Sequence, residues 1–159
     1  MSTLFVDTIN EKTSGNGVAI PGHVIQVVQN TMDTHLNTAS TSFVDTGASV
    51  SITPKFNNSK VLFIHSGNFN TQYATSWTDL TLYRDIGGTL THLGNTHGFN
   101  GIYADSDTHG PSSINYLDSP ATTSQVIYRI YIKCRTASKG GRYNPDSHRT
   151  TLIAMEIAQ

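Results

Sequence analysis

Apolar and polar residues alternate with a period of two along most of the chain, the pattern of strands with one buried and one solvated face. The clearest case lies in residues 125–136, where Val126, Tyr128, Ile130 and Ile132 fall on one side and Arg129, Tyr131 and Lys133 on the other. Residues 79–84 (DLTLYR) alternate likewise, with Leu80 and Leu82 in phase. Asp85, Ile86, Gly87 and Gly88 then supply a turn, so residues 79–93 read as a β-hairpin. Residues 41–45 and 48–53 form two runs joined at Thr46 and Gly47. In the second run Val50 and Ile52 oppose Ser49 and Ser51, and Pro54 ends it. Residues 60–66 (KVLFIHS) are the most hydrophobic stretch and predict a central strand. Residues 23–29 (HVIQVVQ) predict a mostly buried one, and the chain closes on residues 150–158, where Ile153, Met155 and Ile157 share a face.

Between these runs lie Gly-, Asn-, Thr- and Pro-rich stretches expected as loops: residues 10–17, 30–40, 95–113 and 137–147. The third is the longest without regular patterning, which marks it as the candidate binding loop. No segment sustains a helical period. Eight to ten short strands with closely spaced turn signals predict an all-β, antiparallel β-sandwich, jelly-roll-like in character. Residues 3–9 and 18–20 read as two short strands that cannot bury a core alone and need a partner. The expected organisation is an N-terminal anchor or oligomerisation segment, residues 1–22, followed by a sandwich head, residues 23–159.

Composition strengthens the β reading. Only 13% of the 159 residues are charged, about half the usual share, and Thr, Ser, Asn and Gly take their place. The formal net charge of −1 gives no electrostatic footprint for a phosphate backbone, so nucleic acid is not an expected partner. The one cysteine, Cys134, sits in an alternating apolar run and reads as a small buried hydrophobe. A framework without disulfides suits assembly in a reducing compartment such as a bacterial cytoplasm. The opening residues lack a signal-peptide pattern, and no apolar run approaches the ~18 residues that cross a bilayer, so neither a visible secretion signal nor membrane insertion is expected.

Chemistry-bearing residues form no recognisable catalytic or metal constellation. His92, His97 and His109 lie near Asp105 and Asp107, but at none of the compact zinc spacings. Counting from Asp105 as the first position of a calcium loop, Gly110 matches the sixth place, yet Tyr116 stands where the twelfth needs a bidentate Glu. There is no Gly-x-Ser-x-Gly elbow and no recognisable carboxylate pair, so no catalytic residue, cofactor or metal is assigned, and an enzyme is not expected. What remains is aromatic. Tyr73, Trp77, His97, Phe99, Tyr103 and Tyr143 stand in polar stretches and are the candidates for stacking on a sugar ring, against the alternative that they pack at the core edge.

Several short motifs in order, residues 3–9 (TLFVDTI), 13–27 (TSGNGVAIPGHVIQV), 41–45 (TSFVD), 50–54 (VSITP), 82–85 (LYRD), 117–123 (LDSPATT) and 153–157 (IAMEI), resemble tail-fibre-like virion surface proteins from phages of aquatic bacteria, cyanophages among them. That resemblance implies a homotrimeric, particle-attached structural protein with no catalytic residues to carry over. The expectation is a short trimeric fibre or spike on the particle surface, assembled in the host cytoplasm. It docks on other tail or capsid proteins through its N-terminal segment and touches host glycan with its loops. The alternative is a capsid decoration protein that braces the shell.

Overall fold

The computed structural model describes residues 6–10, 15, 17, 18 and 20–159. Much of the expected strand at residues 3–9, and part of that at 18–20, lies outside the described residues. The described chain contains eleven strands: β1 (Val24–Met32), β2 (Leu36–Thr38), β3 (Val44–Ile52), β4 (Lys60–Thr71), β5 (Ser76–Ile86), β6 (Thr89–His92), β7 (Asn100–Ala104), β8 (Thr108–Asp118), β9 (Val126–Cys134), β10 (Gly141–Tyr143) and β11 (Thr150–Ile157).

Two antiparallel sheets are built on the two longest central strands. In the first, β4 carries β8 along one edge and β11 followed by β10 along the other, with β1 outside β11 and β2 outside β10. In the second, β5 carries β9 on one edge and β6 and β7 on the other, with β3 outside β9. Set aside the short β2, β6 and β10, and the remaining strands pair first with last (β1 with β11), second with seventh (β3 with β9), third with sixth (β4 with β8) and fourth with fifth (β5 with β7). This nested pairing is the jelly roll, in which the chain crosses between sheets at nearly every connection.

The core lies between the sheets. From the second sheet come Val50, Ile52, Leu80, Leu82, Val126, Tyr128, Ile130 and Ile132; from the first, Val61, Phe63, Phe69, Ile114, Tyr143, Leu152 and Ala154. The inward side of β9 is the one its alternation predicts, and Cys134 is fully buried at its end with a free thiol. Two buried carboxylates are paired inside the sandwich. Asp118 accepts two hydrogen bonds from Arg84 Nη1, at 2.8 and 3.0 Å, and one from the Tyr128 hydroxyl at 2.8 Å. Burial, the Asp118 charge and that hydrogen bond together push the Tyr128 phenol far up. Glu156 accepts from the Gln26 amide (2.6 Å) and from the backbone N–H groups of Lys55 (2.8 Å) and Phe56 (3.1 Å). Burial alone would raise its carboxyl, but these hydrogen bonds outweigh it and hold it below the ordinary range.

Several elements differ from their sequence reading: residues 30–40, expected as a loop, hold the end of β1 and all of β2, and residues 137–147 hold β10. Residues 95–113 are not a long loop: they hold β7 and the start of β8, joined by a short turn. Ser112 and Ile114 face inward and Ser113 and Asn115 outward, an alternation that Gly and Pro obscure. Of residues 41–53, Val44–Ile52 make one strand, β3, with a register shift between Asp45 and Ser49 where the sequence shows a break at Gly47. Residues 23–29 are not mostly buried: β1 pairs only with β11 among the described residues, and its Val24 and Val27 are exposed. Ile153, Met155 and Ile157 do share a face, but the outward one, while Leu152, Ala154 and Glu156 point to the core. The hairpin at 79–93 and the central strand at 60–66 are present as β5–β6 and β4.

Candidate functional site

The outward face of the second sheet is aromatic and charged. Along β5 it carries Trp77, Asp79, Thr81, Tyr83 and Asp85; along β9 and just past it, Arg129, Tyr131, Lys133 and Arg135. Register sets Trp77 directly opposite Tyr103 of β7, and Asp79 between Gly101 of β7 and Lys133 of β9.

At the β7 end these residues close into one arrangement. The Arg135 guanidinium lies 4.2 Å from the centroid of the Trp77 ring and donates to both oxygens of Asp79, from Nε at 2.9 and 3.0 Å and from Nη2 at 2.8 Å. Trp77 and Tyr103 are tilted rings with centroids 5.2 Å apart, both exposed at one edge. Gly101 makes room for this packing, since a Cβ there would lie 3.0 Å from Asp79 Oδ1 and 3.4 Å from Arg135 Nη2. The Tyr103 hydroxyl donates to Asp105 at 3.0 Å, and that hydrogen bond, with the Asp105 charge, raises its phenol.

Residues 93–99 fold over β5 and seal the carboxylate. Leu93 N–H donates to the Leu82 carbonyl (3.0 Å) and Phe99 N–H to the Leu80 carbonyl (2.9 Å). Gly98, at φ +79°, is the residue that lets the loop lie so close, because a Cβ there would collide with the Leu80 carbonyl. Asp79 is thereby fully buried although it is on the outward face, and His97 Nδ1 comes within 3.4 Å of its Oδ2. Lys133 Nζ ties the same loop down through the Thr96 carbonyl at 2.7 Å and stands 4.5 Å over the Phe43 ring.

A second aromatic group continues the face. Tyr83 stacks on His92 (4.7 Å) and packs on Tyr131 (4.3 Å), and Phe43 borders His92 at 5.2 Å. Burial, then the neighbouring Lys133 charge, lowers the His92 imidazole, favouring the neutral ring in the stack. Beyond it, Arg129 bridges Asp45 (3.5 Å) and Asp85 (3.3 Å). The arrangement offers flat C–H-binding ring faces beside fixed hydrogen-bond donors and acceptors, a chemistry that suits a pyranose lying on the sheet.

Of the six aromatic and His candidates from the sequence, Trp77, Tyr103 and His97 come together here. Tyr73 stands apart, exposed after β4 with Lys139 Nζ 5.7 Å from its ring. Phe99 is half-buried, edge-on to Tyr116 at 5.4 Å. Tyr143 is not a surface loop residue at all. It lies on β10, fully buried, hydrogen-bonded at 3.0 Å to the buried His65, and the core has claimed its ring. Sequence reading missed Asp79, Arg135, Phe43, Tyr83 and Tyr131. The signal was available in β5 and β9, where most of the residues out of phase with the core are aromatic or charged. Among the described residues no group of three or more His, Cys, Asp or Glu could hold a metal ion.

No family model and no curated protein matches the chain. Among solved structures it is similar to the structure of the infectious bursal disease virus Gx strain, with a TM-score of 0.48 and 12% identity over 84% of this chain and 37% of that one. It is also similar to the infectious bursal disease virus VP2 subviral particle, with a TM-score of 0.36 and 15% identity over 86% of this chain and 38% of that one. The chain thus spans well under half the length of either.

Proposed function

We propose that the chain is a non-catalytic structural protein of a bacteriophage particle, a short trimeric fibre or spike that presents the outward face of β5, β7 and β9 to glycan on the host surface. The observation that carries the reading is the Trp77–Arg135–Asp79–Tyr103 arrangement: an exposed ring platform whose cation is fixed by a sealed carboxylate, on rigid strands rather than mobile loops. The motif resemblance supplies the viral context. Shallow sites of this kind bind weakly one at a time, and many copies on one particle convert weak contacts into firm attachment.

The test is retention of the purified chain on host cells and on host-surface polysaccharide. Trp77→Ala and Tyr103→Ala reduce retention at least tenfold while leaving the unfolding transition nearly in place. Unchanged retention in both variants would remove this face from host contact. A second reading, a decoration protein bracing a capsid, is favoured by the apolar outward face of the first sheet, which suits a seat on other protein. On that reading particles lacking the chain adsorb normally but burst more easily under osmotic shock.

A further inference from the structure

Residues 61–64 of β4 and 152–157 of β11 read in sequence as nearly continuous apolar runs, the pattern of strands covered on both faces, yet among the described residues only one of their faces packs into the core. Register aligns the other side into rows across four strands. Val27, Met155, Leu62 and Leu117 form one row, and Gln29, Ile153, Ile64 and Asn115 the next. Ile157 and Val24 extend the patch at one end. Val24, Val27 and Leu117 are 52%, 56% and 49% exposed. The row beyond Ile153 is Thr31, Thr151, Ser66 and Ser113, so the rows carry no charge, and Lys60, opposite Ile157, stands at the margin. The opposite face of the molecule, with Arg129, Asp45, Asp85, Lys133 and Arg135, is its reverse.

We infer that this outward face of β1, β11, β4 and β8 is the surface through which copies of the chain associate. Three observations select a second copy over another occupant. An uncharged face meets its own copy without opposing like charges, and interfaces between identical chains are the more apolar kind. Four strands ~4.8 Å apart and about eight residues of ~3.3 Å rise give roughly 500 Å² in projection, a large part of the ~800 Å² per partner in a stable interface. The N-terminal stretch supplies more. It joins the sheet at the corner of this face, where Gly22 N–H donates to the Ala158 carbonyl and Ala158 N–H to the His23 carbonyl, both at 2.9 Å. Its Val6, Ile9, Val18 and Ile20 are also exposed. Copies packing face to face, or around a three-fold axis, cover both.

Sedimentation velocity of the full chain at micromolar concentration, against Met155→Glu, Leu117→Lys and the control Ser51→Lys on exposed β3, tests this. Circular dichroism establishes folding, and Leu117→Lys alters an exposed edge position, so it remains informative if Met155→Glu does not fold. The expected result is an oligomeric wild type and control with monomeric, folded face variants. A monomeric wild type overturns the inference, also where another particle protein proves to bind the face. An oligomer that persists in folded Leu117→Lys and Met155→Glu likewise overturns it and moves association to another surface, leaving the host-contact reading untouched.

Discussion

Arg135 grips the fully buried Asp79 through Nε and Nη2 while its guanidinium rests 4.2 Å from the Trp77 ring centroid, so one side chain both neutralises a sealed carboxylate and backs an exposed aromatic platform. The two partners are not equivalent. Arg135→Ala leaves a buried charge without its counter-ion and is expected to cost ~3 kcal/mol or more. Asp79→Asn frees a partly exposed guanidinium to turn to water and should cost less. Denaturant unfolding of both variants checks the order, and equal losses would mean that the ion pair is not what holds Asp79.

Gly98→Ala tests the seal directly. At φ +79° with the Leu80 carbonyl in the way, the added methyl must lift residues 94–98 from β5. The expected loss is about 2 kcal/mol, together with faster amide exchange at Phe99, whose N–H donates to Leu80. Unchanged exchange there would place the strain elsewhere.

His65 imposes a pH dependence on stability. Burial beside Tyr143 lowers its imidazole to about 4, so the folded chain holds it neutral while the unfolded chain takes up a proton below the ordinary value of ~6.5. Stability is therefore unaffected by His65 above that value, and falls as pH drops from about 6.5 to about 4, by on the order of 3 kcal/mol. Glu156, held below its ordinary range, adds a further loss at lower pH, where its carboxylate must protonate. Thermal unfolding of wild type and His65→Gln across pH 4–7 separates the two. The variant should slope less than the wild type between about pH 6.5 and 5, keeping only the smaller loss from His92, whose imidazole is also lowered, and parallel curves would contradict the assignment.

The sandwich was legible because β5, β9 and the second half of β3 each present one apolar and one polar side, which fixes both strand and face. The first sheet was harder to read. β4 and β11 are apolar on both sides, so the sequence cannot say whether Ile153 or Leu152 points inward, and register against β1 and β8 decides it. Trp77, His97 and Tyr103 were found by residue type alone. Asp79 and Arg135 were not, because they are 56 residues apart and meet only through pairing of β5 with β9. Tyr143 misled because its Gly- and Pro-rich surroundings signal a loop, while a three-residue strand turns its ring into the core.

The measurement that bears most directly on the proposed function is electron microscopy of intact particles that carry the chain, labelled with an antibody whose binding requires Trp77 and Tyr103. The expected result is label on intact particles, at the tail for an adsorption spike, and reduced adsorption when the antibody is bound. Label appearing only after particles are disrupted would contradict it, because a face that contacts the host cannot lie inside the particle.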